Sequence, residues 1–214
     1  MQTNTSLHSS GNRGTVYLFS FTGTNANNNS FSGGELKAII GEGFTTSRVQ
    51  DTGNAKFFDR DGFFVGKDAS PPNGLDISSH IGTDDNFGQG VSLDGTMLAV
   101  GAHNDDGVLN GGDDYGAVYL YTFDNTSFGN PILAGTIGSG YTGGKSYNQS
   151  GLEDNDFFGH GVSLDDNRLA VLAWQDDGLS SDEVSNNGSV YLYTFTDSSF
   201  SHDGSPLEAI IGAN

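Results

Sequence analysis

Two acidic clusters, each present twice, are the residues of this sequence best suited to chemistry. One cluster stands just before a Phe-Gly dipeptide and the other just after a Leu-Ala-Val segment, and both recur later in the chain. Their oxygen atoms suit calcium, yet the same side chains also cap turns by accepting hydrogen bonds from backbone N–H groups. Both roles stay open, and Asp113-Asp114 and Asp182-Glu183 in the following loops are able to add ligands. The candidate calcium ligands are Asp84, Asp85, Asn86, Asp105, Asp106, Asp154, Asn155, Asp156, Asp176 and Asp177.

Catalytic chemistry has weaker support in the sequence. The chain has no cysteine, which excludes disulfides, thiolate metal sites and cysteine nucleophiles. Its five histidines lack the spacing of an HExxH zinc motif. Paired carboxylates are the groups that a glycosidase uses, but each acidic pair here lies beside Gly or Asn in a predicted turn. No catalytic residue is assigned.

Three aromatic residues are candidates for ligand binding because they lie near predicted loops. They are Tyr141, Tyr147 and Trp174, the last being the only tryptophan of the chain. An exposed aromatic ring offers a flat apolar face. These residues therefore form a candidate platform for a sugar.

The stretch GAVYLYTF at residues 116–123 recurs as GSVYLYTF at 188–195 and as GTVYLFSF at 14–21. Because strand side chains alternate with a period of two, valine and leucine point to one face and the aromatic residues to the other. Both faces are apolar, and such a strand must be covered on both sides. The stretch therefore predicts a β-strand between two neighbouring layers.

Repetition extends to units of four strands. The predicted strands cover residues 15–21, 35–40, 75–81, 87–93, 97–102, 116–123 and 132–138, and the last four recur over 158–212. Asp94-Gly95, between two apolar runs, is a strong hairpin signal. The predicted organisation is a partial repeat at 1–44, an irregular or abbreviated repeat at 45–86, a full repeat at 87–140, a linker loop at 141–157 and a full repeat at 158–214.

These units predict an all-β fold, a β-propeller-like array of four-stranded antiparallel blades. A β-sandwich is the alternative, but sandwich strands usually carry one polar face, which VYLYTF lacks. Closed propellers need about four or more blades, and the repeats fall short of four complete units. The chain is therefore expected to be part of a longer array or to associate with other copies.

Charge and hydropathy restrict the partners. The formal net charge is −19, from 27 acidic and 8 basic residues, which repels nucleic acid and anionic membranes. No run of about 18 apolar residues exists, so membrane insertion is not expected. The expected partners are cations, other copies of the chain or neighbouring repeats, and a protein or glycan ligand.

The order of Phe87-Gly88, LAVGA at 98–102 and the GAVY that begins at Gly116 resembles the FG-GAP repeat of integrin-α-type β-propellers, as in large bacterial secreted or surface proteins. The segment from Phe158-Gly159 onward repeats this order. The resemblance implies a propeller, an extracellular or cell-surface location, and adhesion or ligand binding through loops. It also implies a calcium loop between the first two strands of a blade. Here that loop is too short, at Asp94-Gly95 and at 165–167, to supply about six to eight oxygen ligands.

The expected function is that of a non-enzymatic extracellular repeat segment for adhesion, ligand binding or self-assembly, with calcium as the candidate cofactor. A propeller hydrolase or lyase that acts on polysaccharide or phosphate ester is the alternative. Carboxylates that converge on one pocket would favour the enzyme, whereas carboxylates dispersed equivalently over the repeats favour the non-enzymatic segment. The sequence has the dispersed pattern.

Overall fold

The structure of the protein is a computed structural model that describes residues 13–23, 32–44, 73–108, 112–178 and 187–212. Every regular element within these ranges is a β-strand, which confirms the predicted all-β class. Among the same residues, no helix is long and apolar enough to cross a membrane. The strands are β1 (Thr15–Gly23), β2 (Ser32–Gly41), β3 (Asn73–Asp76), β4 (Phe87–Asp94), β5 (Met97–Ala102), β6 (Ala117–Thr122), β7 (Ile132–Gly138), β8 (Tyr147–Asn148), β9 (Phe158–Asp165), β10 (Arg168–Ala173), β11 (Ser189–Thr194) and β12 (Leu207–Gly212).

The strands form three sheets that follow one another along the chain. Sheet 1 has the order β1-β2-β3, sheet 2 the order β4-β5-β6-β7-β8, and sheet 3 the order β12-β11-β10-β9. Neighbouring strands are antiparallel, except that β3 runs parallel to β2 and β8 runs parallel to β7. Sheet 3 is the predicted four-stranded antiparallel blade, and sheet 2 is such a blade with one short strand added. The predicted propeller-like array is confirmed as a succession of three blade-like sheets.

The strand predicted at 75–81 is wrong in its position. The strand is Asn73–Asp76, and the chain turns directly after it. Asp76 fixes this turn because its carboxylate accepts hydrogen bonds from the backbone N–H groups of Gly43 and Ser78, at 2.8 and 2.9 Å. This strand has only four residues, and the last of them caps the turn. The alternation of its side chains is therefore too short to be recognised in the sequence.

The predicted linker at 141–157 contains the second parallel strand, Tyr147–Asn148. Asn148 caps a turn as Asp76 does in the first sheet, since its side-chain oxygen accepts a hydrogen bond from the N–H of Gly140 at 2.8 Å. Each repeat is thus joined to the previous sheet by a short strand and a capped turn. Residues 45–72, most of the predicted irregular repeat, lie outside the described residues.

Two hydrophobic cores lie on the two faces of sheet 2. Tyr119 and Tyr121 of β6 pack with residues of sheet 1 such as Val16. Val118 and Leu120 of the same strand pack with residues of sheet 3. All four of these β6 side chains are fully buried, which confirms that this strand is covered on both faces.

Consecutive sheets pack in the same orientation, with the aromatic face of one sheet against the aliphatic face of the sheet before it. Tyr191 and Tyr193 of β11 face back into the core between sheets 2 and 3. Val16 and Leu18 of β1 face forward into the core between sheets 1 and 2. The series therefore ends in an aromatic outer face on sheet 1 and an aliphatic outer face on sheet 3.

Glycines set the closest approach between sheets 2 and 3. Gly116 forms an isolated parallel bridge with Phe158, and a Cβ at Gly116 would lie 2.0 Å from the carbonyl oxygen of Phe158. A Cβ at Gly101 would lie 1.8 Å from the carbonyl oxygen of Gly159. Only residues without a side chain allow the two backbones to meet in this way.

Candidate functional site

A cavity of about 370 Å³ opens beside the first full repeat, between the turn at 78–82 and the loop at 105–108. The carboxylates of Asp85, Asp105 and Asp106 contribute to its lining. No lysine or arginine among the described residues lines it. The cavity is therefore strongly acidic and suits cationic groups.

Asp105 is the most deeply buried of the three carboxylates, with 2% of its surface exposed. It accepts a hydrogen bond from the backbone N–H of Gly107 at 2.8 Å and contacts the hydroxyls of Tyr119 and Tyr141 at 2.6 and 2.9 Å. The Tyr119 hydroxyl also lies 2.6 Å from the carbonyl oxygen of His80. These contacts join the loop after β5 to β6 and to the turn after β3.

The oxygens of Asp105 are engaged within the fold. They accept hydrogen bonds from the N–H of Gly107 and from the hydroxyls of Tyr119 and Tyr141. Burial raises the pKa of Asp105, although the hydrogen bonds from Tyr119, Gly107 and Tyr141 lower it. We infer that Asp105 is a structural group, because both of its oxygens already have hydrogen-bond donors.

Asp85 caps the turn on the opposite side of the cavity. One carboxylate oxygen accepts a hydrogen bond from the N–H of Gly82 at 2.5 Å. Burial raises the pKa of Asp85 to about 6, with further upward contributions from the charges of Asp105 and Asp106, while the Gly82 bond and Arg13 lower it. The negative charge at this position is thus costly to the folded state at neutral pH.

The second repeat builds the same arrangement from equivalent residues. Asp156 accepts a hydrogen bond from the N–H of Glu153 at 2.7 Å. Asp176 accepts bonds from the N–H of Gly178 and the hydroxyl of Tyr191, at 2.6 and 2.5 Å. Burial raises the pKa of Asp156 to about 7, and the charge of Asp176 raises it further, although the Glu153 bond lowers it. In both repeats the buried carboxylates have the geometry that the turn-capping role requires.

Acidification from about pH 8 to about pH 5 is expected to stabilise the protein. The folded-state pKa values of Asp85 and Asp156 are about 6 and about 7, above the ordinary value of 3.8. In this range the folded state binds more protons than the unfolded state, so stability falls as pH rises through it and increases as pH is lowered. Melting temperatures measured with a chelator present should therefore rise on acidification.

A double variant, Asp85→Asn with Asp156→Asn, provides the control for this pH dependence. Asparagine keeps an oxygen that can accept the backbone hydrogen bond and removes the titrating proton. The melting temperature of the variant should depend less steeply on pH. A slope should remain, because acidification also reduces the repulsion among the other acidic residues. Equal slopes for the variant and the wild type would contradict the assignment to these two residues.

Open carboxylates converge in the loop between β5 and β6. Asp106, Asp113 and Asp114 each place one oxygen within 4.8 Å of the others. The N–H of Asp114 donates to Asp106 at 3.0 Å, and the N–H of Asp113 donates to Asp154 at 3.0 Å. Burial raises the pKa of Asp114, with additional contributions from the charges of Asp113 and Asp106. A set made only of carboxylates suits a hard cation such as calcium.

The remaining sequence candidates are distributed over turns. Asp84, Asn86 and Asn155 have φ values of 71°, 56° and 67°, in the left-handed region that Asn and Asp enter more readily than other residues with a side chain. Asp177 is exposed. Asp182-Glu183 lies outside the described residues.

The turn between the first two strands of each repeat is as short as the sequence predicts. Asp94 pairs with Met97 across β4 and β5, and Asp165 pairs with Arg168 across β9 and β10. Two residues remain in each turn, which is too few to surround a calcium ion. The acidic loop at 105–114 therefore differs in place from the loop that the family resemblance implies.

The structure places the three aromatic candidates apart. Tyr141 lies at the cavity and contacts Asp105. Tyr147 packs edge-on against Tyr193, with 6.2 Å between ring centroids. Trp174 is 44% exposed and lies beside His160, with 5.7 Å between ring centroids. Of the three, Trp174 presents the most open ring, and the two tyrosines are half-buried contacts.

Sequence reasoning missed the polar role of two tyrosines. Tyr119 and Tyr191 lie at equivalent buried positions, as the repeated stretch predicts, yet the hydroxyl of each also contacts a buried aspartate. The available signal is that tyrosine occurs at this place in both full repeats, each time after an Asp-Asp-Gly loop. The alternation of apolar residues predicts that the ring is buried, but it does not predict what the hydroxyl at the end of the ring contacts.

Two segments of the chain, residues 77–121 and 149–193, match a family model described as FG-GAP repeat. Each segment begins directly after the short parallel strand and ends within the VYLYTF strand. Each therefore contains one complete set of capping carboxylates and the tyrosine that contacts one of them. No curated protein matches this chain.

Proposed function

Because this chain carries two FG-GAP repeats, we propose that it is a non-enzymatic extracellular segment for adhesion or ligand binding. FG-GAP repeats are found in adhesion and ligand-binding repeat proteins and commonly occur in extracellular or surface proteins. In this proposal the first full repeat holds calcium in its acidic loop. Trp174 is the platform for a protein or glycan ligand, and other copies of the chain are a further class of partner.

The observation that carries the calcium proposal is the convergence of Asp106, Asp113 and Asp114 within 4.8 Å. Three carboxylates at this separation repel one another, and a bound cation removes that cost. Calcium would supply positive charge and hold the loop to the end of β5 through Asp106. The hydrogen bond from Asp113 to Asp154 extends this link to the beginning of the second repeat.

Adding calcium at about 1 mM is expected to raise the melting temperature at neutral pH, because a ligand that binds only the folded state stabilises it by mass action. The variant Asp106→Asn should lose most of this increase. Asp124→Asn is the matched control, since it removes the same charge from an exposed turn outside the acidic loop. Thermal melts with calcium and with chelator measure the effect.

Identical melting of the wild type in calcium and in chelator would remove the calcium proposal and leave turn capping for the buried carboxylates. A full calcium effect in Asp106→Asn would contradict the assignment to this loop. Magnesium is a useful comparison because it demands a smaller, nearly octahedral site. We expect it to stabilise the wild type less than calcium does.

A hydrolase or lyase that acts on polysaccharide or phosphate ester is the second candidate, and one observation favours it. The cavity brings three carboxylates together, and the pKa of Asp85 there is about 6, which suits a group that exchanges protons near neutral pH. The recurrence of the same carboxylates in the second repeat instead supports a feature that belongs to the fold. If the protein turned over such a substrate and the variant Asp85→Asn did not, the non-enzymatic proposal would be wrong.

A further inference from the structure

Two histidines from different repeats meet where sheets 2 and 3 join. His103 directly follows β5 of the first full repeat, and His160 belongs to β9 of the second. The centroids of their rings are 5.2 Å apart, and the ring planes are inclined by 78° to each other. Both side chains are half-buried. The pair therefore links the two repeats at a place that an ion from solvent can reach.

The close approach of two backbones holds these histidines in place. A Cβ at Gly101, shortly before His103, would lie 1.8 Å from the carbonyl oxygen of Gly159, which directly precedes His160. The N–H of His160 also donates a hydrogen bond to the carbonyl oxygen of Phe157 at 3.2 Å. Because the sheets cannot slide at this contact, the two rings are held near each other before any ligand binds.

The repeat itself does not require histidine at either position. Trp174 is the equivalent of His103 in the second repeat, and Gln89 is the equivalent of His160 in the first. Both repeats nevertheless form the same antiparallel strand pairs. A structural role common to the repeats therefore does not account for the pair.

The Nδ1 atom of His103 is buried and has no hydrogen-bond partner within the described ranges of the chain. A buried nitrogen without a partner is costly to the folded state. Burial also lowers the pKa of His103, and the charge of a protonated His160 lowers it further. The imidazole of His103 is thus neutral at pH 7.5, which is the form that binds a metal ion.

We propose that His103 and His160 together bind a divalent transition-metal ion across the junction of sheets 2 and 3. Imidazole nitrogen suits zinc, nickel and copper, whereas calcium prefers oxygen ligands. An ion about 2.1 Å from one nitrogen of each ring lies about 3.2 Å from each ring centroid, and a tetrahedral angle then separates the centroids by about 5.2 Å. The centroids of the pair have this separation.

The site differs in chemistry and place from the calcium loop, and the inference does not rest on the proposed function. Two histidines leave the other coordination positions of the ion to water or to an external ligand. The net charge of −19 concentrates cations near the protein. An ion bound to one histidine from each repeat would also fasten sheet 2 to sheet 3.

Titration of the whole chain with copper(II) tests the proposal through the fluorescence of Trp174, the only tryptophan. Copper is the probe because it is the strongest binder among these ions, and it quenches the emission of an indole ring close to it. The ring centroids of Trp174 and His160 are 5.7 Å apart. We expect saturable quenching by one copper ion per chain at pH 7.5, and excess zinc should restore the emission.

Glutamine variants assign the quenching to the pair. His160→Gln introduces the residue that the first repeat has at this position, so it is compatible with the fold, and His103→Gln removes the other ligand. Each should need at least about tenfold more copper for half of the quenching, because one imidazole binds far more weakly than two. His202→Gln is the matched control, since His202 is also half-buried but lies in the loop between β11 and β12. It should behave as the wild type.

Absence of saturable quenching in the wild type would overturn the inference, as would full quenching in His160→Gln, which decides the matter even if His103→Gln does not fold. Equal losses in His160→Gln and His202→Gln would show scattered copper binding and would also overturn it. The variant Asp106→Asn should keep the quenching, because this residue belongs to the calcium loop. Loss of quenching in Asp106→Asn would place the ion at that loop instead. A chain that binds copper at the histidine pair but shows no calcium effect fails only the calcium proposal.

Discussion

Truncation of Tyr119 to alanine is expected to lower the free energy of unfolding by about 3–5 kcal/mol, the cost of removing a large aromatic side chain from a core. Tyr119 is fully buried, and its ring packs edge-on against Phe87, with 5.7 Å between centroids. Its hydroxyl joins Asp105 to the His80 carbonyl. The substitution therefore opens the core between sheets 1 and 2 and also breaks the link beside the cavity. Chemical denaturation measures the change.

Two phenylalanine variants separate the ring from the hydroxyl. Tyr119→Phe leaves Asp105 without this contact and should cost about 1–3 kcal/mol. Tyr121→Phe should be neutral or stabilising, since the buried Tyr121 hydroxyl has no hydrogen-bond partner in the described part of the chain. Equal stabilities of the two variants would argue against a structural role for the contact between Tyr119 and Asp105. A cost below about 1 kcal/mol for Tyr119→Ala would contradict the packing itself.

Alternation of side chains was sufficient to predict most of the strands. The predicted strands at 97–102 and 132–138 match β5 and β7, and the stretch at 116–123 contains β6. These strands carry apolar residues on both faces, so their burial between sheets follows directly from the sequence. The parallel strand β8 escaped prediction and β3 was predicted in the wrong position, because both strands are short and depend on pairing with a strand that is already in place.

The sequence identifies acidic clusters at equivalent positions of the two full repeats, but it does not identify the role of each carboxylate. Repetition identifies Asp105 and Asp106 as adjacent equivalents of Asp176 and Asp177, but it does not distinguish a capping carboxylate from an open one. That distinction depends on which side chain meets a buried tyrosine hydroxyl. The approach of Asp114 to Asp106 likewise depends on the backbone conformation at Asp114, whose φ is 58°, and no local sequence pattern specifies that conformation.

The dependence of the fold on close contact between sheets leads to a prediction at Gly101, which lies in β5. A Cβ there would lie 1.8 Å from the carbonyl oxygen of Gly159, and this neighbour is backbone, which cannot rotate away. Gly101→Ala should therefore force sheets 2 and 3 apart and cost about 1–3 kcal/mol or more, the range for overpacking a well-packed interior.

Gly161→Ala, in β9, is the matched control for this prediction. A Cβ at Gly161 would have Leu172 Cβ as its nearest neighbour, at 3.5 Å, an ordinary van der Waals distance. Alanine there should be neutral or stabilising by up to about 1 kcal/mol, because it reduces the freedom of the unfolded chain. Urea denaturation of both variants gives the comparison. If Gly101→Ala were as stable as Gly161→Ala, sheets 2 and 3 could separate without cost, and their spacing would not depend on backbone contact at Gly159.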